Sequence, residues 1–265
     1  MTKPSIIFVP GSFNLPSEYK VVFDGVSEAG YEIKGIHLPT VGAGPRQGRD
    51  GPAPSMYDDA AFIAQEIEEL ADQGKDVVVI GHSYAGVPMS QCSKGLDKEE
   101  RKAHNKPGGI VRLAYIACLV PALGESAQDV ISTGPKERRI AMAVDDDGWM
   151  LIEDPPAAAR ALLQHVTPEE GEAIVRRWAK HSAPSFGDPL TYAGYKDIPA
   201  SYLICEEDLA GPVEIIQVPK IEIIEKVSGR KVDTTSIKTG HMPNVTAVKE
   251  TVEWIVSVAE KVEKS

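Results

Sequence analysis

The chain has 265 residues, 42% of them hydrophobic and 25% charged, so it can bury a sizeable core as one large domain or two small ones without a metal or disulfide staple. A net charge of −11 argues against non-specific binding to nucleic acid or an anionic membrane, and the isolated pairs Arg138-Arg139 and Arg176-Arg177 read as solvated faces. Three scattered cysteines (Cys92, Cys118, Cys205) are too few, and odd in number, for a disulfide framework.

In chain order, Ser5-Ile6-Ile7-Phe8-Val9 reads as a buried strand ended by Pro10-Gly11. The spacing predicts a helix over 17–29, with Gly30 as its stop, then a strand over 31–36. Residues 40–55 are crowded with Gly and Pro, as in a surface loop that either borders a site or merely connects. Ala60, Ile63, Ala64, Ile67, Leu70 and Ala71 recur at helical spacing over 57–72, and Ser55 with Asp58 forms a capping-box pattern. Val77-Val78-Val79-Ile80 then runs into Gly81-His82-Ser83-Tyr84-Ala85-Gly86, a strand turning sharply into a helix that reaches about Ser93.

Residues 94–108 are polar and loop-like, and 110–120 hold another buried strand. The alternation of strand and helix calls for a mostly parallel sheet covered by helices on both faces. Between Pro121 and Pro199 the rhythm stops. That stretch has helical patterns over 157–163 and 168–180 and no strongly apolar strand, so it reads as a helical cap (121–198) inserted into a core made of 1–120 and 199–265. The pattern resumes with a strand over 201–205, helices to about 227, a strand over 232–238 and an amphipathic helix over 245–262. No internal repeat and no low-complexity segment stands out.

A serine at the apex of a tight strand-to-helix turn is a candidate nucleophile, and small residues around it relieve crowding with the crossing chain. The pattern here is G-x-S-x-A, with Ala85 where Gly is usual; the bland alternative is an ordinary strand end. A serine hydroxyl needs a base, and the base needs a carboxylate to orient it. Of six histidines, His241 is best placed, in the Gly- and Pro-flanked loop after the last strand, because sites in open α/β sheets lie at the carboxyl ends of strands. The acid should also follow a strand: Asp208 is the first choice, with Glu207 and Glu206 as alternatives. The order Ser83, Asp208, His241 strengthens the reading. His82 should point away from Ser83 and serve packing or a hydrogen bond, and His165 and His181 fall in the insert.

The developing oxyanion needs backbone N–H donors. Tyr84 should supply one, and the turn after the first strand the other, from Ser12 or Phe13. Gly11, Trp149, Tyr192 and Met242 are candidates for substrate contact. Metal-ligand spacing and nucleotide-binding fingerprints are absent, so no metal and no cofactor is expected.

Through Phe8-Val9-Pro10-Gly11-Ser12, Gly81-His82-Ser83-Tyr84-Ala85-Gly86, Ile204-Cys205-Glu206-Glu207-Asp208 and Gly240-His241-Met242, nearly the whole chain resembles an α/β-hydrolase. The likeness is to the branch of plant methylesterases, hydroxynitrile lyases and fungal and bacterial esterase-like proteins. His181-Ser182 through Asp197-Ile198-Pro199 resembles that branch's return from cap to core. Pro10 and Ala85 depart from the family pattern, standing where His and Gly are common. The lyases carry Thr in the oxyanion turn and Lys after the catalytic His; the matching residues here, Gly11 and Met242, are those of the esterases.

The resemblance implies a serine hydrolase acting on a carboxylic ester, thioester or lactone of a small, largely apolar metabolite. Two alternatives are a lyase or cyclase using the same residues as acid and base, and a non-catalytic small-ligand receptor on the same scaffold. No run approaches the ~20 apolar residues of a membrane span, and Met1-Thr2-Lys3-Pro4 opens no signal peptide. A cytoplasmic monomer or homodimer without nucleic-acid or membrane partners is the corresponding expectation, which makes the match of Asn244-Val245-Thr246 to a glycosylation acceptor a chance one.

Overall fold

Short β-branched runs bounded by turn residues build the centre of the molecule, a computed structural model that describes residues 3–136 and 139–263. Met1, Thr2 and Arg138 of the Arg138-Arg139 pair lie outside the described residues. The strands are β1 (Ser5–Val9), β2 (Ile33–Gly35), β3 (Asp76–His82), β4 (Gly109–Ile116), β5 (Met142–Val144), β6 (Trp149–Ile152), β7 (His181–Ser182), β8 (Ala200–Cys205) and β9 (Asp233–Ile237). Six of them form one sheet in the order β2-β1-β3-β4-β8-β9, parallel at every pairing.

The helices of the core are α1 (Lys20–Glu28), α2 (Met56–Ala71), α3 (Gly86–Gln91) and α4 (Lys98–Ala103), which precede the insert. The insert holds α5 (Ala127–Ser132), α6 (Pro155–Leu162), α7 (Pro168–Arg176) and α8 (Pro184–Gly187). After it come α9 (Val218–Ser228), α10 (Pro243–Thr246) and α11 (Val248–Glu263). Alternate residues of the central strands serve the two faces. Ile7, Val9, Val77 and Val79 pack with Ile63 and Ile67 of α2 and Ile224 of α9, whereas Ile6, Phe8, Val78 and Ile80 meet Val22 and Val26 of α1 and Ile255 and Val258 of α11. The capping box opening α2 forms, with Asp58 N–H donating to Ser55 Oγ and Ser55 N–H to Asp58 Oδ2.

Two segments differ from the sequence reading. Residues 94–108 include α4, capped by Asp97, whose Oδ1 accepts from the N–H groups of Glu99 and Glu100. Its residues Lys-Glu-Glu-Arg-Lys-Ala show no apolar stripe because most of them face water, so periodicity is silent there. The insert keeps its expected helices but also carries a three-stranded antiparallel sheet, β5-β6-β7. Strands of two to four residues are too short for alternation to register in sequence. This small sheet and helices α6 and α7 share a cluster of Met150, Ile152, Ala159, Leu162 and Trp178 that closes on Phe13 and Met242 of the core. The insert therefore sits on the turns that leave β1 and β9.

Strand order explains why those turns matter. β1 connects to β2 on one side, then the chain returns to place β3 on the other side of β1, so the order in which strands are added reverses between β1 and β3 while all strands stay parallel. Val9 lies opposite Gly81 in register, so the turns after these two strands leave the sheet side by side. None of the described helices is long and apolar enough to cross a membrane.

Candidate active site

Ser83 follows β3 directly, at φ 57°, in the left-handed region that costs a residue with a Cβ ~1–2 kcal/mol. The residues leaving β1 and β4 at the same end of the sheet, Phe13 and Ala117, also have positive φ, at 66° and 43°. Backbone strain is thus concentrated where three strands end. Around the serine, two glycines are required by close approach and one expected glycine is not. A Cβ on Gly81 would lie 2.4 Å from Met89 Sδ, and one on Gly86 would lie 2.4 Å from the Leu119 carbonyl oxygen and 2.8 Å from Cys118 Cβ. Ala85, between them, is fully buried, with its methyl over the bare face of Gly81. Its departure from the usual pattern is accommodated because the chain crosses at Gly86 instead.

His241 and Asp208 arrive from β9 and β8. Three strand spacings, ~14 Å, separate β9 from β3, so the loop after β9 has to arch back over the sheet. It does so pinned to the acid loop by Glu207 N–H donating to Thr239 O at 2.9 Å. Ser83 Oγ then lies 2.9 Å from His241 Nε2, and His241 Nδ1 lies 2.7 Å from Asp208 Oδ2. The second carboxylate oxygen of Asp208 accepts from Ala210 N–H at 2.8 Å and Gly211 N–H at 2.7 Å. A carboxylate can only accept, so the ring proton of His241 sits on Nδ1 and leaves Nε2 as an acceptor for the serine hydroxyl. Glu207, the alternative acid, instead pairs with His165 of the insert and lies 3.9 Å from Lys238 Nζ. Gln217 braces the acid loop: its amide donates to the carbonyls of Cys205 and Gly211 at 3.0 and 2.8 Å and accepts from Cys205 N–H at 3.0 Å.

On the opposite side of Ser83 is the turn after β1. A Cβ on Gly11 would come within 2.9 Å of His82 Nδ1 and 3.3 Å of Ser83 Cβ, so only glycine lets this turn lie against the serine. Of the two donors expected here, Phe13 N–H is directed at His181 Nδ1, 3.4 Å away. The Ser12 N–H meets no acceptor among the described residues, and Tyr84 N–H belongs to a first helical turn, whose donors have no partner within the helix. Gly11 C=O accepts from Asn14 N–H at 3.2 Å, which fixes the peptide plane that carries the Ser12 N–H.

Behind the serine lies a second layer of buried polar groups. The Tyr84 hydroxyl donates to Asp59 Oδ2 at 3.1 Å, and Asp59 also accepts from Thr40 N–H at 3.0 Å and Thr40 Oγ1 at 2.6 Å. Burial pushes the Asp59 carboxyl up to about 7 against these three donors. His181, under Phe13 and against the Tyr84 ring at 4.6 Å, is held neutral by burial, down to about 3. Sequence reading passed over Asp59 and Gln217, which carry no local pattern that distinguishes them from ordinary polar residues.

A cavity of 380 Å³ opens above Ser83 and His241 between the strand ends and the insert. Gly11, Ser12 and Met242 are among the residues that line it, and the insert supplies an apolar wall including Met142, Met150, Ile152, Leu162 and Trp178. Among the described residues lining it, the one side chain with a fixed charge is Arg139, which is exposed. Two expected contacts are corrected. Trp149 faces the other side of β6, its ring against Gly48 and its Nε1–H donating to Gly51 O at 3.2 Å, because successive strand residues alternate and Met150 takes the cavity side. Tyr192 lies away from the cavity and donates to Asp197 Oδ2 at 3.1 Å. The loop 40–55 borders the insert, with Gly42 N–H donating to Lys180 O and Arg46 N–H to Trp178 O.

A parallel sheet with a serine on a strained turn, a histidine and an aspartate at the ends of later strands, and an inserted cap defines the α/β-hydrolase class. The chain belongs to the alpha/beta hydrolase family, whose sequence profile matches residues 6–254. A curated relative, the "Probable hydrolase R7" of Phoma sp. (strain ATCC 20986 / MF5453), is 32% identical over 244 residues, covering 92% of this chain and 93% of its own. Among solved structures, a pyrethroid hydrolase from Sphingobium faniae JZ-2 superposes over 100% of both chains with a TM-score of 0.74 at 18% identity. Polyneuridine aldehyde esterase does so over 97% of this chain and 100% of its own, with a TM-score of 0.71 at 17% identity.

Proposed function

We propose that the protein is a serine hydrolase that cleaves a carboxylic ester, thioester or lactone of a small, largely apolar metabolite. The observation that carries this reading is the unbroken contact from Ser83 Oγ through His241 to Asp208, at 2.9 and 2.7 Å. In this reading His241 Nε2 takes the hydroxyl proton as Ser83 Oγ attacks the acyl carbon, and Asp208 stabilises the imidazolium that forms. The oxyanion accepts from the N–H groups of Ser12 and Tyr84. His241 then protonates the leaving oxygen or sulfur, the acyl–Ser83 ester forms, and a water deprotonated by His241 releases the acid. The apolar wall of the 380 Å³ cavity favours a hydrocarbon-rich substrate, and its size suits a small one. The esterase named among the structural relatives is in keeping with ester hydrolysis.

The test is a fluorophosphonate probe followed by mass spectrometry of the intact protein, together with a panel of esters, thioesters and lactones. The expected result is one adduct on Ser83, absent in Ser83→Ala, and turnover within the panel that Ser83→Ala and His241→Ala both abolish. Folded protein that takes up no probe, or turnover that survives both substitutions, overturns the proposal.

A further inference from the structure

Tyr19 and His82 are buried, at 2% and 1% exposure, and take no part in the proton transfers described above. Their hydrogen bonds nonetheless join both sides of the site. Gly11 N–H donates to Tyr19 Oη at 3.2 Å, Tyr19 Oη lies 2.7 Å from His82 Nδ1, and His82 Nε2 lies 2.8 Å from the His241 carbonyl oxygen. The direction of each bond follows from chemistry. A carbonyl can only accept, so the His82 proton is on Nε2, and Nδ1 is left to accept the phenol proton. Tyr19 has one proton, and the 2.7 Å contact to His82 claims it over Asn14 Oδ1 at 3.4 Å. Asn14 is otherwise engaged, donating from Nδ2 to Ser12 O at 3.0 Å. Burial, with the His241 imidazole alongside, holds His82 down to about 3, so the ring stays neutral and the pattern of donors persists through neutral pH.

From this geometry, and resting on the hydrolase reading above, we infer that Tyr19 and His82 are positioning residues forming one bridge that sets the spacing between the oxyanion turn and the His241 loop across Ser83. The bridge grips Gly11 at its N–H, while Asn14 N–H grips the Gly11 carbonyl, so Gly11 is held on both sides of its Cα and with it the following peptide, which presents the Ser12 N–H. At the other end it fixes the backbone of His241, whose ring has to keep Nε2 2.9 Å from Ser83 Oγ. A displacement of ~1 Å in such an arrangement is enough to lose ~100-fold in rate. Neither Tyr19 nor His82 touches the reacting atoms in this scheme.

The test is a double-mutant cycle of Tyr19→Phe and His82→Phe, which removes both the acceptor and the donor of the ring, read as fluorophosphonate labelling rate and as kcat and KM on p-nitrophenyl butyrate, with the wild-type His82 tautomer followed by nitrogen-15 NMR. Each single variant is expected to lose about 10- to 100-fold in kcat with KM within about twofold, and the double variant to be no more than about threefold slower than the worse single, because both break the same link. NMR of the wild type should show a neutral His82 protonated on Nε2 from pH 5 to 9. Effects that multiply in the double variant, losses confined to KM, or a His82 protonated on Nδ1 would overturn the bridge. If His82→Phe does not fold, the kcat of Tyr19→Phe and the tautomer decide. A wild type that does not label at all refutes the hydrolase reading instead, and the NMR result still judges the bridge.

Discussion

Replacing Asp208 by Asn removes a charge from the site, and the surrounding hydrogen bonds dictate what the amide must do. Oδ1 of Asp208 accepts from two backbone N–H groups, those of Ala210 and Gly211, at 2.8 and 2.7 Å. Turning an NH2 group toward them would set donors against buried donors, so the amide oxygen stays there and the NH2 faces His241 Nδ1. His241 must then accept at Nδ1 and carry its proton on Nε2, 2.9 Å from Ser83 Oγ, where it can no longer take the hydroxyl proton. Losing one charge-assisted hydrogen bond alone would cost ~1.5–3 kcal/mol, or ~10- to 150-fold. Trapping the base in the wrong tautomer raises the expected loss in kcat to ~10⁴-fold, about 5.4 kcal/mol. The assay is kcat and KM on p-nitrophenyl butyrate, with circular dichroism to show that the variant is folded. Glu207→Gln, which disturbs only the contacts to His165 and Lys238, should stay within about threefold of wild type. A fall in Asp208→Asn of less than tenfold would refute the tautomer argument, and a loss confined to Glu207→Gln would move the acid to that residue.

Three further outcomes follow from the packing. Gly86→Ala should cost about 2–3 kcal/mol in urea unfolding, since its methyl meets the Leu119 carbonyl at 2.4 Å, while Ala85→Gly should cost about 1 kcal/mol; the reverse ranking would contradict the elbow geometry. Asp59, up to about 7 when folded and ordinary when unfolded, keeps a proton that the unfolded chain releases. Its contribution to stability therefore falls as pH rises from about 4 to about 7, by at most ~4 kcal/mol, and Asp59→Asn should lack that part of the slope. Urea midpoints at pH 5 and 7.5 would show this, and parallel slopes for the two proteins would exclude it. In the cavity, Met150→Ala should raise KM for apolar esters about tenfold, whereas Trp149→Phe and Tyr192→Phe should leave it within about twofold. A KM that responds to Trp149 or Tyr192 and not to Met150 would place the substrate elsewhere.

Much of this architecture was legible in the chain itself. Apolar runs such as Val77–Ile80 declare buried strands because a strand covered on both faces has no polar side to show, and turns rich in Gly and Pro mark where each one ends. The Gly81-x-Ser83 turn, Asp208 and His241 could be placed at strand ends from their order alone, since a parallel sheet of this kind exposes its chemistry at the carboxyl ends of its strands. Long-range geometry decided the rest. Which acid faces His241 depends on how the loop after β9 arches back over the sheet, and adjacent residues Glu207 and Asp208 go to different partners there. Ala85 is tolerated and Gly86 required because the crossing chain, Cys118-Leu119, comes from the end of another strand. Trp149 and Met150 were separable only once β6 paired and gave each a side. The bridge from Gly11 through Tyr19 and His82 to His241 joins residues up to 159 positions apart in partner separation, and no local pattern in a sequence records a hydrogen bond that exists only when three distant turns meet.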